Sequence, residues 1–303
     1  MNRTECLQRM KAPADKRSDR WHSILQIVVT SACDMACSNC TYLVKHRPTE
    51  HITLANFERA VHSLIGYPGI VGLIGGNPCL HPDFPKLCKM LDVIPRQQRG
   101  LWSNRLFGHG KVAADTFGFY NLNVHGNQAA AEEIRQDIPW ARIYGEDKSS
   151  IHGAVMVSMA DLVPDESQRY DLIARCDINQ KWSAAVVQID GRLEGYFCEL
   201  TSSLAAATGR RCGVPIVPGW WDRPMEDFAA QVDMHCHQCG VPLRIRGHHD
   251  SAKTDDISRS HRATVARGSA YRSIVEHDQL PVEAAAELTD YQRLRSRRVH
   301  CSV

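Results

Sequence analysis

The sequence predicts an α/β fold, and three observations carry that expectation. Short apolar runs of strand length alternate with stretches of helical spacing up to about residue 160. The first run, Ile24 to Thr30 (ILQIVVT), is apolar nearly throughout, as expected for a parallel strand buried on both faces. After Asp161 the texture changes to a hairpin, a loop rich in Gly, Pro and Trp, and short helices, which marks a second, smaller unit.

Taken in order, Leu54 to Ile65 has helical spacing, with Leu54, Phe57, Val61, Leu64 and Ile65 on one face and Thr53 as N-cap. A short strand from Ile70 to Ile74 runs into Gly75 and Gly76, and the next helix spans Phe84 to Leu91 after the breaker His81-Pro82. Further strands are expected at Gly100 to Ser103, Phe119 to Val124 and Ala154 to Met159, which makes about six strand–helix repeats. Trp182 to Ile189 and Gly191 to Cys198 read as two strands joined at Asp190-Gly191, a strong hairpin signal. A short helix near Met225 to Val232 leads into Cys236 and Cys239, and Val282 to Arg298 is helix-like with few apolar residues. The expected divisions are a polar arm over 1–20, a first unit over 21–165, a second over 166–250 and a helical tail over 251–303.

Hydrophobic residues make up 43% of the 303 residues and charged residues 23%, so a sizeable core is expected. A net charge of +2 is too small to argue for nucleic acid or an anionic membrane as partner. The basic cluster Arg293 to Arg298 reads as a solvated helix face. The first twenty residues are polar and charged without the apolar stretch of a secretory signal, and no run of eighteen apolar residues occurs. A cytoplasmic address is therefore expected. Disulfides are disfavoured there, so twelve cysteines point to metal binding or catalysis.

Cys33, Cys37 and Cys40 follow the first strand directly. Thiolates are ligands for iron–sulfur clusters and zinc, and close spacing lets one loop wrap a single centre. Three cysteines on a four-iron cluster leave one iron open to a small molecule; a partial zinc site and three structural cysteines are the alternatives. The pattern Cys-x3-Cys-x2-Cys after the first strand resembles the radical S-adenosylmethionine (SAM) superfamily. That resemblance implies a partial (β/α)6 TIM-like barrel and a 4Fe-4S cluster whose open iron binds SAM. It further implies reductive cleavage to a 5′-deoxyadenosyl radical that abstracts substrate hydrogen. The family's aromatic residue before the third cysteine is replaced by Asn39, with Tyr42 near enough to take its place.

Gly75-Gly76-Asn77-Pro78 stands where the family carries Gly-Gly-Glu-Pro, and Cys79-Leu-His-Pro-Asp-Phe84 continues the likeness. Glycines let backbone approach a ligand closely, and the resemblance assigns their carbonyls to the methionyl ammonium of SAM. Ser103-Asn104 ends the next strand, where family members hold the SAM ribose; a polar strand end is the ordinary reading. Phe119 to His125 alternates, with Asn121, Asn123 and His125 on one face. A buried polar row is costly unless it meets ligand or water, so Asn123 and His125 are candidates for SAM or substrate contact.

Cys176, Cys198, Cys236 and Cys239 form a second constellation, with Cys212 as a fifth candidate. A hairpin followed by a helix and Cys-x2-Cys resembles the twitch domain, a shortened SPASM domain that binds an auxiliary 4Fe-4S cluster. Its order and spacing are similar to those of radical SAM dehydrogenases acting on 2-deoxy-scyllo-inosamine. Tetrahedral zinc on the same cysteines is the competing assignment. Cys79 or Cys212 is a candidate hydrogen donor to a substrate radical, and packing is the default for either. Cys88 reads as a small buried hydrophobe, while Cys6 and Cys301 belong to no motif. Trp220-Trp221 reads as a buried loop anchor or a stacking platform.

The resemblance implies oxidation, or epimerisation, of a sugar or cyclitol carbon. It also implies an external one-electron reductant of flavodoxin or ferredoxin type, with no nucleic-acid or membrane partner. A peptide-modifying radical SAM maturase, and a non-catalytic zinc or iron–sulfur interaction protein, remain the alternatives.

Overall fold

All seven positions of the first strand, β1 (Ile24–Thr30), are buried, and a sheet grows outward from it on both sides. The structure, a computed structural model, describes residues 1–16, 23–147, 150–265 and 273–285. Ahead of β1 lies α1 (Arg3–Arg9), opened by a capping box in which the Asn2 side chain accepts from Glu5 N and Glu5 accepts from Asn2 N. The segment expected as a polar arm is thus helical in part. Cys6 and Leu7 join the core, and Arg3 pairs with Asp233 at 2.7 Å.

From β1 the chain passes through α2 (Leu54–Ser63), β2 (Ile70–Gly75), α3 (Phe84–Met90), β3 (Arg99–Ser103), α4 (Gly110–Thr116), β4 (Phe119–Asn123), α5 (Gln128–Asp137) and the short β5 (Ile143–Tyr144). The helices α6 (Met159–Leu162), α7 (Glu166–Ala174) and α8 (Asp177–Lys181) follow. Then come β6 (Ser183–Ile189), β7 (Arg192–Tyr196), α9 (Glu199–Thr208), β8 (Val214–Pro215) and α10 (Ala229–His235). The order across the eight-stranded sheet is β5-β4-β3-β2-β1-β6-β7-β8. Pairing is parallel from β5 to β6 and antiparallel from β6 to β8. This is a mixed α/β fold dominated by parallel pairing.

Two expectations about the sheet need correction. Ala154 to Met159 is buried but not a strand. Its carbonyls are used by loops instead: Gly240 N donates to Val155 O and Ser258 N to Met156 O. Apolar content alone cannot tell a strand from a buried irregular segment. The hairpin, with Asp190 and Gly191 both at positive φ (49° and 75°) as a two-residue turn needs, does not stand in a separate unit. Its first strand, β6, pairs with β1 in register Ile24↔Ser183, so the sheet is continuous across the expected boundary near residue 166.

The final stretch also departs from the expected helical tail. It contains β9 (Thr254–Ser258), α11 (Arg262–Val265) and β10 (Ser273–His277), with β9 and β10 parallel. Most of the Val282 to Arg298 segment, its basic cluster and Cys301 lie outside the described residues. Among the described residues no helix is long and apolar enough to cross a membrane.

The sheet's two faces are filled differently. Leu25, Ile27, Val29, Val71, Leu73 and Leu101 pack against the helices, while Val28, Ile70, Ile74, Trp102 and Val187 form a smaller apolar cluster on the other face. Trp102 needs glycines beneath it: Gly72 and Gly100 are register partners, and a Cβ on either would stand 2.3 or 2.4 Å from its indole. Trp220 is likewise fully buried over Gly195, and Trp221 Nε1 donates to Ser63 O at 3.1 Å, so both tryptophans are anchors. Overpacking of this kind costs about 2 kcal/mol, so G100A should lower Tm by about 5 °C. The double variant G100A/W102L should lose less than the sum of its parts; strict additivity in thermal unfolding would contradict the packing account.

Candidate functional site

A half-open cleft of about 200 Å³ lies at the carboxyl ends of β1 to β4, on the face opposite the helices. Cys33, Cys37 and Cys40 line it, and Gly75 and Gly76 form the wall beside them. The glycines are required by the backbone itself. Gly75 has φ 146°, and a Cβ there would lie 2.0 Å from Thr30 O; at Gly76 it would lie 2.1 Å from Ala32 O. That closeness is sealed by Gly76 N donating to Thr30 O (2.8 Å) and Asn77 N to Ala32 O (2.7 Å). The glycine turn therefore holds the start of the cysteine loop as well as bordering the cleft.

Ser103 and Asn104 line the cleft from the end of β3, and Asn121 and Asn123 from β4. Asn77 and Pro78 are placed behind this wall. Asn77 is fully buried: its Nδ2 donates to Asn104 Oδ1 (2.8 Å) and Arg105 O (2.9 Å), and its Oδ1 accepts from Cys79 N (2.9 Å) and Ser103 Oγ (3.1 Å). Asn104 Nδ2 passes the chain on to Asp34 Oδ1 at 3.0 Å. One amide thus ties two strand ends to the cysteine loop. Cys79 sits in the same rear layer, 4.0 Å from Ser103 Oγ, where burial pushes its thiol well up.

Asn39 explains the missing aromatic. It is buried with φ 49°, and it clasps β9: Asn39 N donates to Asp255 Oδ1 (2.7 Å), Nδ2 to Asp256 Oδ2 (2.7 Å), and Oδ1 accepts from Asp256 N (2.8 Å). The remaining carboxylate oxygens meet His46 (2.8 Å, Asp255) and His277 (2.7 Å, Asp256). Tyr42 lines the cleft, but its hydroxyl is engaged by Gln26 and by Glu199 at 3.0 Å. Burial pushes the Tyr42 phenol well up, with Glu199 adding to the shift.

His125 reaches the cleft from a left-handed turn just beyond β4 (φ 50°), not from the strand face. Its Nδ1 bonds Asp250 Oδ2, which also accepts from Ser150 N at 3.0 Å. Asp250 is 1% exposed and its Oδ1 is buried without a hydrogen-bond partner. Cys37, His125 and Asp250 bring one donor atom each within 4.8 Å of one another. His152 lines the cleft nearby and shares Ser38 O (3.1 Å), burial lowering its pKa. No local sequence pattern marks Trp102, His152 or Asp250, because each is brought in by packing between segments distant in the chain.

The second constellation assembles around a crevice of about 20 Å³ lined by Cys176, Cys198, Cys236 and Cys239, with Met10 and Phe197. Its small size leaves no room for a substrate beside the sulfurs. Burial pushes all four thiols up, Cys198 to about 11. Cys212 is not part of this set; it lies near Glu194, and burial followed by that carboxylate pushes its thiol up to about 11. Neither Cys212 nor Cys79 lines the first cleft.

Among solved structures the chain is similar to BtrN, as seen in the crystal structure of BtrN in complex with AdoMet and 2-DOIA. Identity is 14%, the match covers 71% of this chain and 87% of that chain, and the TM-score is 0.48. No family model matches the chain, and no curated protein matches it.

Two buried amides make the geometry testable. Removing the Asn39 side chain leaves Asp256 short of partners in the core, so N39A should cost about 3 kcal/mol in denaturant unfolding. N77D keeps the shape but loses both donated bonds and buries a charge, so a loss of about 3 kcal/mol is expected there too. A change under about 1 kcal/mol in either variant would contradict these roles.

Proposed function

We propose that this chain is a radical SAM enzyme that removes hydrogen from a carbinol carbon of a sugar or cyclitol, oxidising it. One observation carries the reading. Three loop cysteines, a glycine turn after β2, a Ser-Asn pair after β3 and two asparagines on β4, scattered over some ninety residues, line one cleft at one end of a parallel sheet.

The donor sets fit iron–sulfur clusters. A single tetrahedral ion at about 2.3 Å from each sulfur holds its sulfurs about 3.8 Å apart. Among the described residues neither cysteine set has three sulfurs drawn within 4.8 Å of one another, a spread suited to a cluster with each cysteine on its own iron. Cys33, Cys37 and Cys40 would hold a 4Fe-4S cluster with one iron left for SAM; Cys176, Cys198, Cys236 and Cys239 would fully ligate a second. When bound, these groups supply the redox chemistry: one electron in, to release the hydrogen-abstracting 5′-deoxyadenosyl radical from SAM, and one electron out of the substrate afterwards.

The chain's own residues bind, orient and exclude water. Gly75 and Gly76 bring backbone against the methionyl end of SAM, and Ser103 and Asn104 face its ribose. Trp102, Ile74 and Val44 supply apolar wall, which keeps a radical from water. Asn121 and Asn123 offer amides to substrate hydroxyls, Asn123 being oriented by its bond to Ser150 Oγ at 2.8 Å. His125, fixed at Nδ1 by Asp250, has Nε2 left to accept the proton of the hydroxyl being oxidised. The electron entering the first centre comes from an external donor of flavodoxin or ferredoxin type.

Anaerobically reconstituted protein should be brown and hold about eight irons per chain. The triple variant C33A/C37A/C40A should hold about four and form no 5′-deoxyadenosine under reducing conditions with SAM. Colourless, zinc-loaded protein would overturn the cluster assignment. Brown protein with full iron that cleaves no SAM when reduced would overturn the enzymatic reading.

A further inference from the structure

Lys16 has no exposed surface at all. It ends the N-terminal segment that closes over the second cysteine set. Met10 of that segment lines the crevice, and Lys11 exchanges hydrogen bonds with Asn179 (3.3 Å each way) on α8, just after Cys176. The Lys16 ammonium donates to Phe197 O, next to Cys198, and stands 5.2 Å from the Phe197 ring centre. No carboxylate lies within 4.0 Å of it among the described residues. Glu199 is the nearby candidate, but its carboxylate is engaged by Ser183 (2.6 Å) and Tyr42 (3.0 Å). The charges that act on Lys16 are those of Cys198 first, then Cys176, Glu199 and Cys236.

A buried ammonium with one carbonyl and one ring is costly, and neutral thiols do nothing to offset that cost. Four thiolates on a 4Fe-4S core of charge about +2 leave a centre of about −2, which is the missing counter-charge. We propose that Lys16 is the counter-ion of an anionic cluster on Cys176, Cys198, Cys236 and Cys239, and that it sets the reduction potential of that cluster. Reduction adds one more negative charge, so a fixed cation beside the centre favours the reduced state and makes it a better electron acceptor. This proposal rests on reading the second set as an iron–sulfur site.

The test uses the full-length chain in the C33A/C37A/C40A background, reconstituted with iron and sulfide, so that the second cluster alone gives the signal. Midpoint potentials are read by visible and EPR-monitored titration for Lys16, K16M and K16R. K16M should make reduction about a hundredfold less favourable, about 120 mV lower at 59 mV per tenfold for one electron. K16R should recover to within about tenfold of the parent. Loss of iron from K16M but not from K16R would also support the counter-ion role. An unchanged potential in iron-loaded K16M, or equal iron loss in both variants, would overturn it. A parent background that binds no iron would instead overturn the cluster assignment itself, which keeps the two failures apart.

Discussion

The cysteine loop is held by one close approach, that of the Gly75–Gly76 turn to the backbone of Thr30 and Ala32. A side chain on either glycine would collide with a main-chain oxygen, which cannot yield as a flexible side chain can. Because the two strand ends touch, the residues that follow β1 and β2 emerge side by side. The cysteines are thereby placed over the sheet's end, and Asn77 falls behind them, where it can bond Asn104, Arg105 and Cys79. Every other wall of the cleft is positioned relative to this contact, through the register of β2 with β3 and of β3 with β4.

The loop is held from its other side by residues more than two hundred positions away. Asp255 and Asp256 are buried carboxylates, and buried charges persist only when paired and hydrogen-bonded. Their partners are Asn39, His46 and His277, so the cost of burying β9's acids is offset by contacts to the cysteine loop. Asp250 extends the same strap to His125. The first site is thus incomplete without the segment around 250–258, and the second is incomplete without the N-terminal segment that carries Lys16. Contacts of such sequence separation form late in folding, so both centres would be shaped only as the chain ends dock.

How much of this is legible in the sequence follows from the range of each interaction. Local signals read well: the apolar run of β1, the turn at Asp190-Gly191, the cysteine spacings, and the alternation that puts Asn121 and Asn123 on one face. Long-range partners leave no local trace. Nothing around Asp250 announces a bond to His125, and nothing in a polar N-terminal stretch announces a buried lysine beside four cysteines. The Ala154 to Met159 segment misleads for a related reason: burial demands apolar residues, while the strand itself requires a ladder partner that another segment must provide. The division near residue 166 misleads because β6 returns to pair with β1, and register between distant strands is invisible in composition.

Asn39 and Asn77 stand where the radical SAM pattern carries an aromatic residue and a glutamate, and the structure gives each a physical reason. Both positions are sealed from solvent and both must donate as well as accept. At 77 the neighbours are carbonyl oxygens of Asn104 and Arg105 on one side and the donors Cys79 N and Ser103 Oγ on the other. A carboxylate could satisfy only the second pair and would add an uncompensated charge. At 39 the neighbours are a carboxylate of Asp256 and its backbone N–H, a pairing that an amide meets and an aromatic ring cannot. The left-handed backbone at 39 selects asparagine over bulkier residues as well. These two departures therefore belong to the scaffold that carries the cysteines, and they leave the cleft's own lining, from Gly75 to Asn123, as the part that would meet a ligand.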